Sequence, residues 1–409
     1  MLRFQKKTIY EALGREPVHP FPARMAPGIA LQVMSDLDES RVLDPMMGSG
    51  TVLAMARAQG HRGFGFDVDP LAVLISKVWT TAFDPKDIRE EATYVLENAF
   101  NEFDSISVGD AYPLNADEET CEFVRYWFDG YARRQLTALS LAIRSVRSET
   151  TSNALWCAFS RLIISKQSGA SRAMDLSHSR PHRSFDVAPE KPFNKFLSSV
   201  ERVIANGIDK DSRDKGHKPI IKMGDARGLA LPDKSIDLVL TSPPYLNAID
   251  YIRCSKFSLV WMGYNVCDLR QIRTESVGAE AAKESPLDDN EVKSVVEALN
   301  LRPKLEKRHE QILGRYIQDM RRAISEVARV LARAGRAVYV VGENSLRGTY
   351  IRTSVIVTKL AELAGLSLRE RRSRALPSNR RYMPPPSSGH SGGAIEARMR
   401  RELVLTFAK

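Results

Sequence analysis

Residues 41–51 read RVLDPMMGSGT and contain the pattern that decides the fold. The stretch opens as an apolar strand, continues as a loop with two glycines, and runs into an apolar, helix-forming segment near Thr51. Gly48 and Gly50 permit backbone angles that are closed to other residues, and they let the main chain approach a ligand closely. The loop is neither a dinucleotide fingerprint nor a P-loop, because no Gly-Lys-Ser/Thr follows. A strand, a glycine loop and a helix in this order predict an α/β sheet with a ligand site at the loop.

A second predicted strand follows about twenty residues later and ends in carboxylates. Residues 62–70 read RGFGFDVDP, so Asp67 lies at the end of this strand. An acidic side chain at this position of a nucleotide-binding sheet usually accepts hydrogen bonds from ribose hydroxyls, which makes Asp67 the first candidate for a cofactor contact. Asp69 is the second candidate, and its alternative role is to cap a helix that begins at Pro70.

The third informative segment is a predicted strand that cannot continue. Residues 235–240 form the apolar pattern of a buried strand, and the sequence then reads TSPPY from Thr241 to Tyr245. The two prolines lack N–H donors and end the ladder, so polar groups and a ring are presented at the carboxyl edge, where open α/β sheets bind ligands. The Ser242 hydroxyl and the Pro243 carbonyl can accept hydrogen bonds from an exocyclic amine, and the tyrosine can stack on its ring. An ordinary Pro-Pro turn is the alternative.

These segments resemble the motifs of S-adenosylmethionine-dependent methyltransferases that act on the exocyclic amines of DNA bases. The Ser-Pro-Pro-Tyr stretch is similar to the catalytic motif of that family, above all to its cytosine-N4 type. The glycine loop resembles the Asp-Pro-Phe-x-Gly-Ser-Gly-Thr loop by which the family holds the cofactor. Met46 and Met47 replace the more usual residues of that loop.

Two further segments fit the same family. Residues 19–27, HPFPARMAP, resemble the N-terminal motif that packs over the methionine end of the cofactor, with a Pro-rich surface loop as the alternative. A predicted strand ends in Gly224 and Asp225, where the family places a residue beside the adenine of the cofactor, and a common Gly-Asp turn is the alternative. The resemblance covers roughly residues 15–80 and 219–409.

The resemblance implies a fold, a cofactor and a set of site residues. The implied fold is a Rossmann-like class I methyltransferase sheet, α/β and mostly parallel, with a terminal antiparallel strand and, in this chain, a large helical insertion. The catalytic residues would be Ser242, Pro243, Pro244 and Tyr245. The residues that the resemblance places against S-adenosylmethionine are Pro22, Arg24, Asp44, Pro45, Met47, Gly48, Ser49, Gly50, Thr51, Asp67, Asp69 and Asp225.

The chain is longer than one such sheet requires. We expect residues 1–84 to form the cofactor-binding half and residues 219–409 the catalytic half, with a secondary insertion near residues 268–308. Residues 85–218 far exceed the usual connection between a helix and a strand, which predicts an inserted helical subdomain that could recognise the target. The predicted helices of this insertion are residues 88–103, 121–147, 154–166 and 191–208.

The predicted elements of the catalytic half continue to the end of the chain. An amphipathic pattern predicts a helix over residues 316–334, with Gly335 as its natural stop. Residues 366–372 and 402–407 are predicted to form a terminal antiparallel pair. The basic, proline-stiffened loop of residues 374–386 lies between them and is expected at the active-site edge, with a flexible linker or a surface loop as the alternative.

The charge of the chain indicates a polyanionic partner. The net charge is +10 and the isoelectric point is about 9.4, which fits double-stranded DNA. Residues 84–122 contain twelve acidic and two basic residues, whereas residues 131–185 contain nine basic and two acidic residues. We expect the basic block of residues 131–185 to lie along the DNA phosphates. A solvated surface is the alternative for such a basic run. The predicted DNA-contacting residues are Arg172, Arg180, Arg183, Arg380 and Arg381.

Several classes of protein are disfavoured by what the sequence lacks. No run of about eighteen apolar residues and no signal peptide are recognisable, so we expect a soluble cytoplasmic protein without a membrane segment. The four cysteines form no C-x-x-C pair, and we expect them to be reduced and structural. Pro181 between His178 and His182 argues against a helical metal site, and we expect no bound metal. The absence of a Pro-Cys motif argues against covalent attack on a cytosine ring carbon.

Four functions remain open. A neutral serine at the first position of the catalytic motif favours, by family resemblance, methylation of cytosine N4 in DNA, and adenine N6 is the alternative because both rings present the same amine. An RNA base methyltransferase would share the order of the motifs, but no separate RNA-binding domain is recognisable. A catalytically silent cofactor- or DNA-binding module is disfavoured by the intact glycine loop and Ser-Pro-Pro-Tyr stretch. A cognate restriction endonuclease is a further candidate partner.

Overall fold

The computed structural model describes residues 7–22, 24–174, 176, 181–212, 216–246, 251–278, 289–302, 305–346, 349–376 and 401–409. In chain order the strands are β1 (Arg41–Asp44), β2 (Arg62–Asp67), β3 (Ala82–Phe83), β4 (Ala173–Met174), β5 (His182–Arg183), β6 (Ile208–Asp209), β7 (Ile220–Met223), β8 (Ile236–Thr241), β9 (Leu331–Gly342), β10 (Asn344–Leu346), β11 (Thr349–Ile351), β12 (Ser367–Ala375) and β13 (Arg401–Ala408). The helices are α1 (Ile9–Leu13), α2 (Pro27–Met34), α3 (Thr51–Ala58), α4 (Pro70–Thr80), α5 (Pro85–Phe103), α6 (Glu118–Trp127), α7 (Gly130–Arg144), α8 (Glu149–Ile163), α9 (Pro192–Asn206), α10 (Tyr251–Leu259), α11 (Val266–Glu275), α12 (Asn290–Leu299), α13 (Lys307–Val330) and α14 (Thr353–Leu363). None of the helices in this described part of the chain is long and apolar enough to cross a membrane.

The centre of the fold is a seven-stranded, mostly parallel sheet. Its spatial order is β12-β13-β9-β8-β1-β2-β7. β1 runs parallel to β2 on one side and to β8 on the other, and β7 and β9 continue the parallel arrangement outward. β13 is antiparallel to both β9 and β12. This mixed sheet with its flanking helices confirms the predicted Rossmann-like α/β class and the predicted terminal antiparallel pair.

The strand order reverses at β1, and this reversal positions the candidate site. The chain passes from β1 to β2 in one direction and later places β8 on the opposite side of β1. The carboxyl ends of the three strands therefore meet where the connecting loops diverge and leave a crevice. The glycine loop follows β1, Asp67 ends β2, and the Ser-Pro-Pro-Tyr segment follows β8.

Apolar residues cover both faces of the sheet because successive side chains of a strand point to opposite sides. On one face Leu43 and Val239 pack with α13 and α14. On the other face Val42 and Leu238 pack with α2 and α3. All four side chains are fully buried, as expected for the centre of a parallel sheet. β1 and β8 therefore give the crevice a rigid base.

The helices α5–α9 belong to the long insertion between β3 and β6. The chain enters and leaves the insertion at one point, because Ala82 of β3 pairs in parallel with Ile208 of β6 in a separate two-stranded sheet. The buried side chains of the insertion join those of α4 and α10 in a single cluster. Phe128 packs against Trp261, which follows α10, with ring centroids 5.4 Å apart. The insertion is therefore packed against both halves of the sheet domain.

One predicted helix of the insertion is two helices. Instead of a continuous helix over residues 121–147, α6 ends at Trp127 and α7 begins at Gly130. Asp129 causes the break, because its carboxylate accepts hydrogen bonds from two N–H groups in the first turn of α7. The prediction of one helix was wrong because apolar periodicity continues across this capping residue.

The predicted end of the long amphipathic helix is also wrong. Helix α13 ends at Val330, and β9 begins at the next residue. Gly335 lies inside β9 and does not stop a helix. Leu331 pairs with Ile236 of β8, so pairing with the sheet overrides a helical pattern that continues beyond the boundary.

Candidate active site

The glycine loop after β1 has a conformation that glycine adopts most easily. Gly48 and Gly50 have φ angles of 50° and 80°, in the left-handed region. A β-carbon on Gly50 would lie 2.6 Å from Ser76 Oγ, and Ser76 Oγ donates a hydrogen bond to the Gly48 carbonyl over 3.0 Å. The loop therefore lies directly against α4 before it turns into α3. This packing brings the main chain close to any ligand in the crevice.

Four other predicted residues of the loop anchor it to the sheet. Pro45, Met47, Ser49 and Thr51 are all buried. The Met47 N–H donates a hydrogen bond to the carbonyl of Phe66 in β2 over 3.0 Å. The loop is thus fixed to β2 through its backbone, and this contact does not depend on the side chain at position 47.

Asp67 lies where β2 ends, and it braces the glycine loop. One carboxylate oxygen accepts a hydrogen bond from the Gly48 N–H over 2.8 Å, and the other accepts from the Asp69 N–H over 2.9 Å. Burial raises the pKa of Asp67, although these backbone donors act in the opposite direction. The residue is half-buried at the edge of the crevice, so its carboxylate can also accept from a ligand hydroxyl.

Asp69 has the alternative role that its sequence context indicated. It is the N-cap of α4 and accepts a hydrogen bond from the Leu71 N–H over 2.8 Å. Its other oxygen accepts from Ser255 Oγ in α10 over 2.6 Å. Burial raises the pKa of Asp69 to about 7, and the charge of Asp67 adds to this shift. These contacts commit Asp69 to holding α4 and α10 together.

Asp44 joins the glycine loop to the strand that precedes the Ser-Pro-Pro-Tyr segment. Its carboxylate accepts hydrogen bonds from Thr241 Oγ1 over 2.7 Å and from the Met46 N–H over 3.2 Å. Burial raises the pKa of Asp44 to about 7, and the hydrogen bond from Thr241 offsets part of the shift. Thr241 is the last residue of β8 and immediately precedes Ser242. Two motifs that are 197 residues apart in the sequence are therefore one hydrogen bond apart in the structure.

The Ser-Pro-Pro-Tyr segment is held from two sides. Tyr316 Oη in α13 donates a hydrogen bond to the carbonyl of Pro244 over 3.1 Å. Tyr245 Oη lies 3.4 Å from Oε1 of Glu402 in β13. Pro243 is buried, and the half-buried residues are Ser242, Pro244 and Tyr245. One contact fixes the backbone of the segment, and the other fixes the ring of its tyrosine.

The Tyr245 side chain is neutral in this environment because its hydroxyl keeps its proton. Burial raises the pKa of Tyr245 well above its usual range, the negative charge of Glu402 adds to the shift, and a hydrogen bond with the Ser242 side chain offsets part of it. Tyr251, the first residue of α10, is similar, because burial raises its pKa to about 12 with a contribution from the charge of Asp67. Both rings therefore offer the crevice apolar faces without a phenolate charge.

The N-terminal motif lies beside the same crevice. Phe21 is buried, and its ring centroid is 6.0 Å from that of Tyr251. His19 is also buried, and this burial holds the pKa of His19 well below its usual value. The exposed Arg24 donates a hydrogen bond to the His19 carbonyl, and Pro22 is half-buried. The motif therefore packs against α10, the helix that follows the Ser-Pro-Pro-Tyr segment in the sequence.

Asp225 follows β7 and is tied into an ion-pair network. Its carboxylate oxygen Oδ2 lies 2.6 Å from Arg227 Nη2. Arg227 Nη1 lies 2.6 Å from Asp319 in α13, and the same guanidinium donates to the carbonyl of Glu275. The structure places Asp225 at the expected strand end but commits its charge to an arginine.

The described DNA-contact candidates lie at the β4–β5 hairpin of the insertion. Arg172 donates hydrogen bonds to the carbonyls of Asp186 over 2.8 Å and of Arg125 and Tyr126 over 3.2 Å. Its guanidinium therefore holds the hairpin against the end of α6. Arg183 is exposed, and its guanidinium lies 5.5 Å from the centroid of the Tyr126 ring. The candidates outside the described residues are Arg180, Arg380 and Arg381.

Three residues that hold the candidate site in place were not identified from the sequence. Tyr316 fits the apolar face of an amphipathic helix, and nothing in that pattern indicates a role for its hydroxyl. Ser255 is a single polar residue in a helix, and Glu402 opens a short strand near the chain end. The sequence contains one usable signal, and it concerns Glu402. A strand that runs antiparallel to a parallel sheet begins near the carboxyl edge of that sheet, which is where ligands bind.

The described residues contain no group of three His, Cys, Asp or Glu side chains that could hold a metal ion. The four cysteines are free thiols, and Cys157 and Cys254 are buried. Burial raises the pKa of Cys157 to about 12, so this thiol stays protonated. The described side chains around the crevice are hydroxyls, carboxylates and aromatic rings.

Several solved structures resemble this chain at low identity. An SAM-dependent methyltransferase from Methanosarcina mazei is 10% identical with a TM-score of 0.33, covering 92% of this chain and 96% of that one. A TehB-like SAM-dependent methyltransferase from Corynebacterium glutamicum is 10% identical with a TM-score of 0.29, covering 93% of this chain and 86% of that one. No protein-family model matches the chain.

Two curated relatives match by sequence. The type II methyltransferase M.MvaI of Kocuria varians is 24% identical over 377 residues, which cover 84% of this chain and 80% of the relative. The type II methyltransferase M.BsoBI of Geobacillus stearothermophilus is 23% identical over 317 residues, which cover 69% of this chain and 60% of the relative. The chain is thus similar, over at least 69% of its length, to two type II methyltransferases.

Proposed function

We propose that this protein transfers a methyl group from S-adenosylmethionine to the exocyclic N4 amine of cytosine in double-stranded DNA. The observation that carries the proposal is the hydrogen bond between Thr241 and Asp44, which sets the Ser-Pro-Pro-Tyr segment directly beside the glycine loop. Methyl transfer needs the donor and the acceptor amine in one crevice. The similarity to two type II methyltransferases supports the same assignment.

The carboxyl edge of β1 and β2 has the groups that would hold S-adenosylmethionine. Gly48 and Gly50 allow close approach of the backbone, and the half-buried carboxylate of Asp67 would accept hydrogen bonds from the ribose. The rings of Phe21 and Tyr251 would cover the methionine end. When bound, S-adenosylmethionine would supply an electrophilic methyl group on sulfur.

The acceptor amine is a weak nucleophile because its lone pair is delocalised into the base. Ser242 Oγ and the Pro243 carbonyl would accept its N–H bonds, which favours a more tetrahedral nitrogen with a lone pair that can attack. The Pro244 carbonyl accepts a hydrogen bond from Tyr316, which helps to hold the segment in place for the Pro243 carbonyl and Ser242 to meet the amine. The nitrogen would form its bond to the methyl carbon as the bond from that carbon to sulfur breaks, and the methylated amine would then release a proton to solvent.

The target base has to leave the duplex before it can enter the crevice. Enzymes that modify a base rotate the nucleotide out of the stack and read it by hydrogen bonding and stacking. Tyr245 offers a neutral, half-buried ring at the end of β8 for this stacking. Positioning of the amine and the methyl group would account for most of the rate.

We also propose that the insertion contributes to DNA binding and target recognition. The ring of Trp127 at the end of α6 packs 4.9 Å from that of Phe257 in α10, and α10 begins six residues after Tyr245. The exposed Arg183 lies on the hairpin that packs on α6. A site-specific enzyme of this kind would act on cytoplasmic DNA and could accompany a restriction endonuclease.

Digestion of methylated DNA to nucleosides, followed by mass identification of the modified base, tests the proposal. Duplex DNA treated with the protein and S-adenosylmethionine should yield N4-methylcytosine, and the much slower Ser242→Ala is the matched control at equal incubation time. N6-methyladenine would select the alternative base, and methylated RNA with unmodified DNA would select an RNA substrate. Cofactor binding without any methylated product would identify a silent binding module.

A further inference from the structure

The strand register brings Glu402 to the catalytic edge of the sheet. Thr241, at the end of β8, pairs with Tyr339 of β9, so β9 continues three residues further to Gly342. Glu402 is the register partner of Gly342 in the antiparallel pairing of β13 with β9. Because glycine has no side chain, β9 places no side chain at this position between Glu402 and Tyr245.

Glu402 uses its two carboxylate oxygens for two different partners. Oε1 lies 3.4 Å from Tyr245 Oη, and Oε2 accepts a hydrogen bond from Arg374 Nη1 over 2.8 Å. Arg374 is the register partner of Glu402 in β12. Their side chains are 19% and 16% exposed, against 33% and 44% for the ion pair of Arg372 and Glu370 on the same hairpin. The inner pair is therefore better shielded from solvent.

This series of contacts reaches the proposed acceptor of the substrate amine. Tyr245 lies three residues after Ser242, and the Ser242 side chain acts by hydrogen bonding against the rise in the pKa of the Tyr245 hydroxyl. Arg374, Glu402, Tyr245 and Ser242 therefore form a continuous path from the outer strand to the catalytic segment. Because Tyr245 is neutral, it can donate its hydroxyl proton to the Glu402 carboxylate.

We propose that Glu402, fixed by Arg374, is a positioning residue that holds the Tyr245 hydroxyl and thereby orients both the stacking ring and the Ser242 hydroxyl. This inference rests on the proposed function, because it assigns Tyr245 and Ser242 to the substrate base. Glu402 acts through Tyr245, whereas Asp44 and Asp67 make their hydrogen bonds at the glycine loop. Its loss should therefore lower the rate of methyl transfer and leave cofactor affinity unchanged.

A double-mutant cycle in single-turnover methylation of duplex DNA by the full chain tests this role. Glu402→Ala should lower the rate by roughly tenfold or more, the range for a hydrogen bond to a charged group. Tyr245→Phe keeps the ring, removes the hydroxyl and should cause a comparable loss. The double variant should be within about threefold of the slower single variant, because both changes remove one contact. Glu402→Gln keeps an acceptor oxygen and should recover part of the rate.

Three measurements keep the interpretation unambiguous. Glu370→Ala, which removes an exposed carboxylate from the same hairpin, should retain the wild-type rate, and calorimetry should show unchanged S-adenosylmethionine affinity in Glu402→Ala. If Glu402→Ala does not fold, Glu402→Gln and Tyr245→Phe form the cycle. A wild-type rate in the Glu402 variants, or fully additive losses in the double variant, would overturn the inference. Wild-type protein without methyl transfer would instead refute the proposed function.

Discussion

Replacing Thr241 with valine probes the buried carboxylate of Asp44, which joins the glycine loop to the strand that precedes the Ser-Pro-Pro-Tyr segment. Thr241 is fully buried and Asp44 is 3% exposed. Thr241→Val preserves the shape of the side chain but removes the 2.7 Å hydrogen bond to Asp44. The carboxylate would keep its longer hydrogen bond from the Met46 N–H.

The cost of this substitution should depend on the charge of Asp44. Its pKa of about 7 lies above the ordinary value of 3.8, so the folded wild type loses stability as the pH rises between these values, because the unfolded chain gives up the proton more readily. In acid the variant loses a neutral hydrogen bond, worth about 0.5–1.5 kcal/mol. Above the pKa it loses a hydrogen bond to a charged group, worth about 1.5–3 kcal/mol. The destabilisation should therefore roughly double between pH of about 5.5 and about 8.5.

Urea unfolding of wild type and variant at both pH values measures this difference. Thr80→Val is the matched control, because Thr80 is also fully buried and its hydroxyl donates over 2.7 Å to the neutral carbonyl of Ser76. The loss of unfolding free energy in this control should not change with pH. An equal loss for Thr241→Val at both pH values would refute the reasoning, since it would mean that Asp44 does not change charge in this range.

Three further substitutions test individual roles. Ser242→Ala should lower the single-turnover rate by two to three decades, from a loss of roughly 2.7–4 kcal/mol of transition-state stabilisation, with cofactor affinity unchanged; more than a third of the wild-type rate would remove the serine from the mechanism. Asp67→Ala should weaken S-adenosylmethionine binding by about 1.5–3 kcal/mol in calorimetry, with little change in DNA affinity, and an unaltered cofactor affinity would discard the ribose contact. Replacing Arg380 and Arg381 together by alanine should flatten the dependence of log DNA affinity on log salt by roughly two units, and an unchanged slope would mean that these arginines do not contact phosphates.

The sequence predicts those parts of the site that local patterns determine. Glycines after an apolar strand indicate a tight loop, an acidic residue before Pro70 indicates a helix cap, and two prolines indicate a strand end. The structure contains each of these features, with Gly50 at positive φ and Asp69 capping α4. Each depends on the backbone preferences of neighbouring residues, so a short window of sequence is enough to identify it.

Contacts between distant elements could not be predicted in this way. Asp225 stands where a cofactor contact is expected, but only the fold shows that Arg227 and Asp319 engage it. Likewise, Tyr316 and Glu402 reach the catalytic segment through the packing of α13 and the register of β13. The boundary between α13 and β9 depends on pairing with β8, which the helical pattern itself does not contain.

The pairing of Ala82 with Ile208 has a consequence for the order in which the chain folds. β2 and β7 pair at Phe64 and Ile220, so joining them directly would close a loop of roughly 150 residues. Once the insertion has folded and β3 has met β6, the effective loop is only about 30 residues long, which lowers the closure cost by about 1.5 kcal/mol on a logarithmic dependence. The insertion should therefore fold before the edge strand β7 docks. Its folding would bring β2 and β7 close together and so reduce the entropy that is lost when the two strands pair.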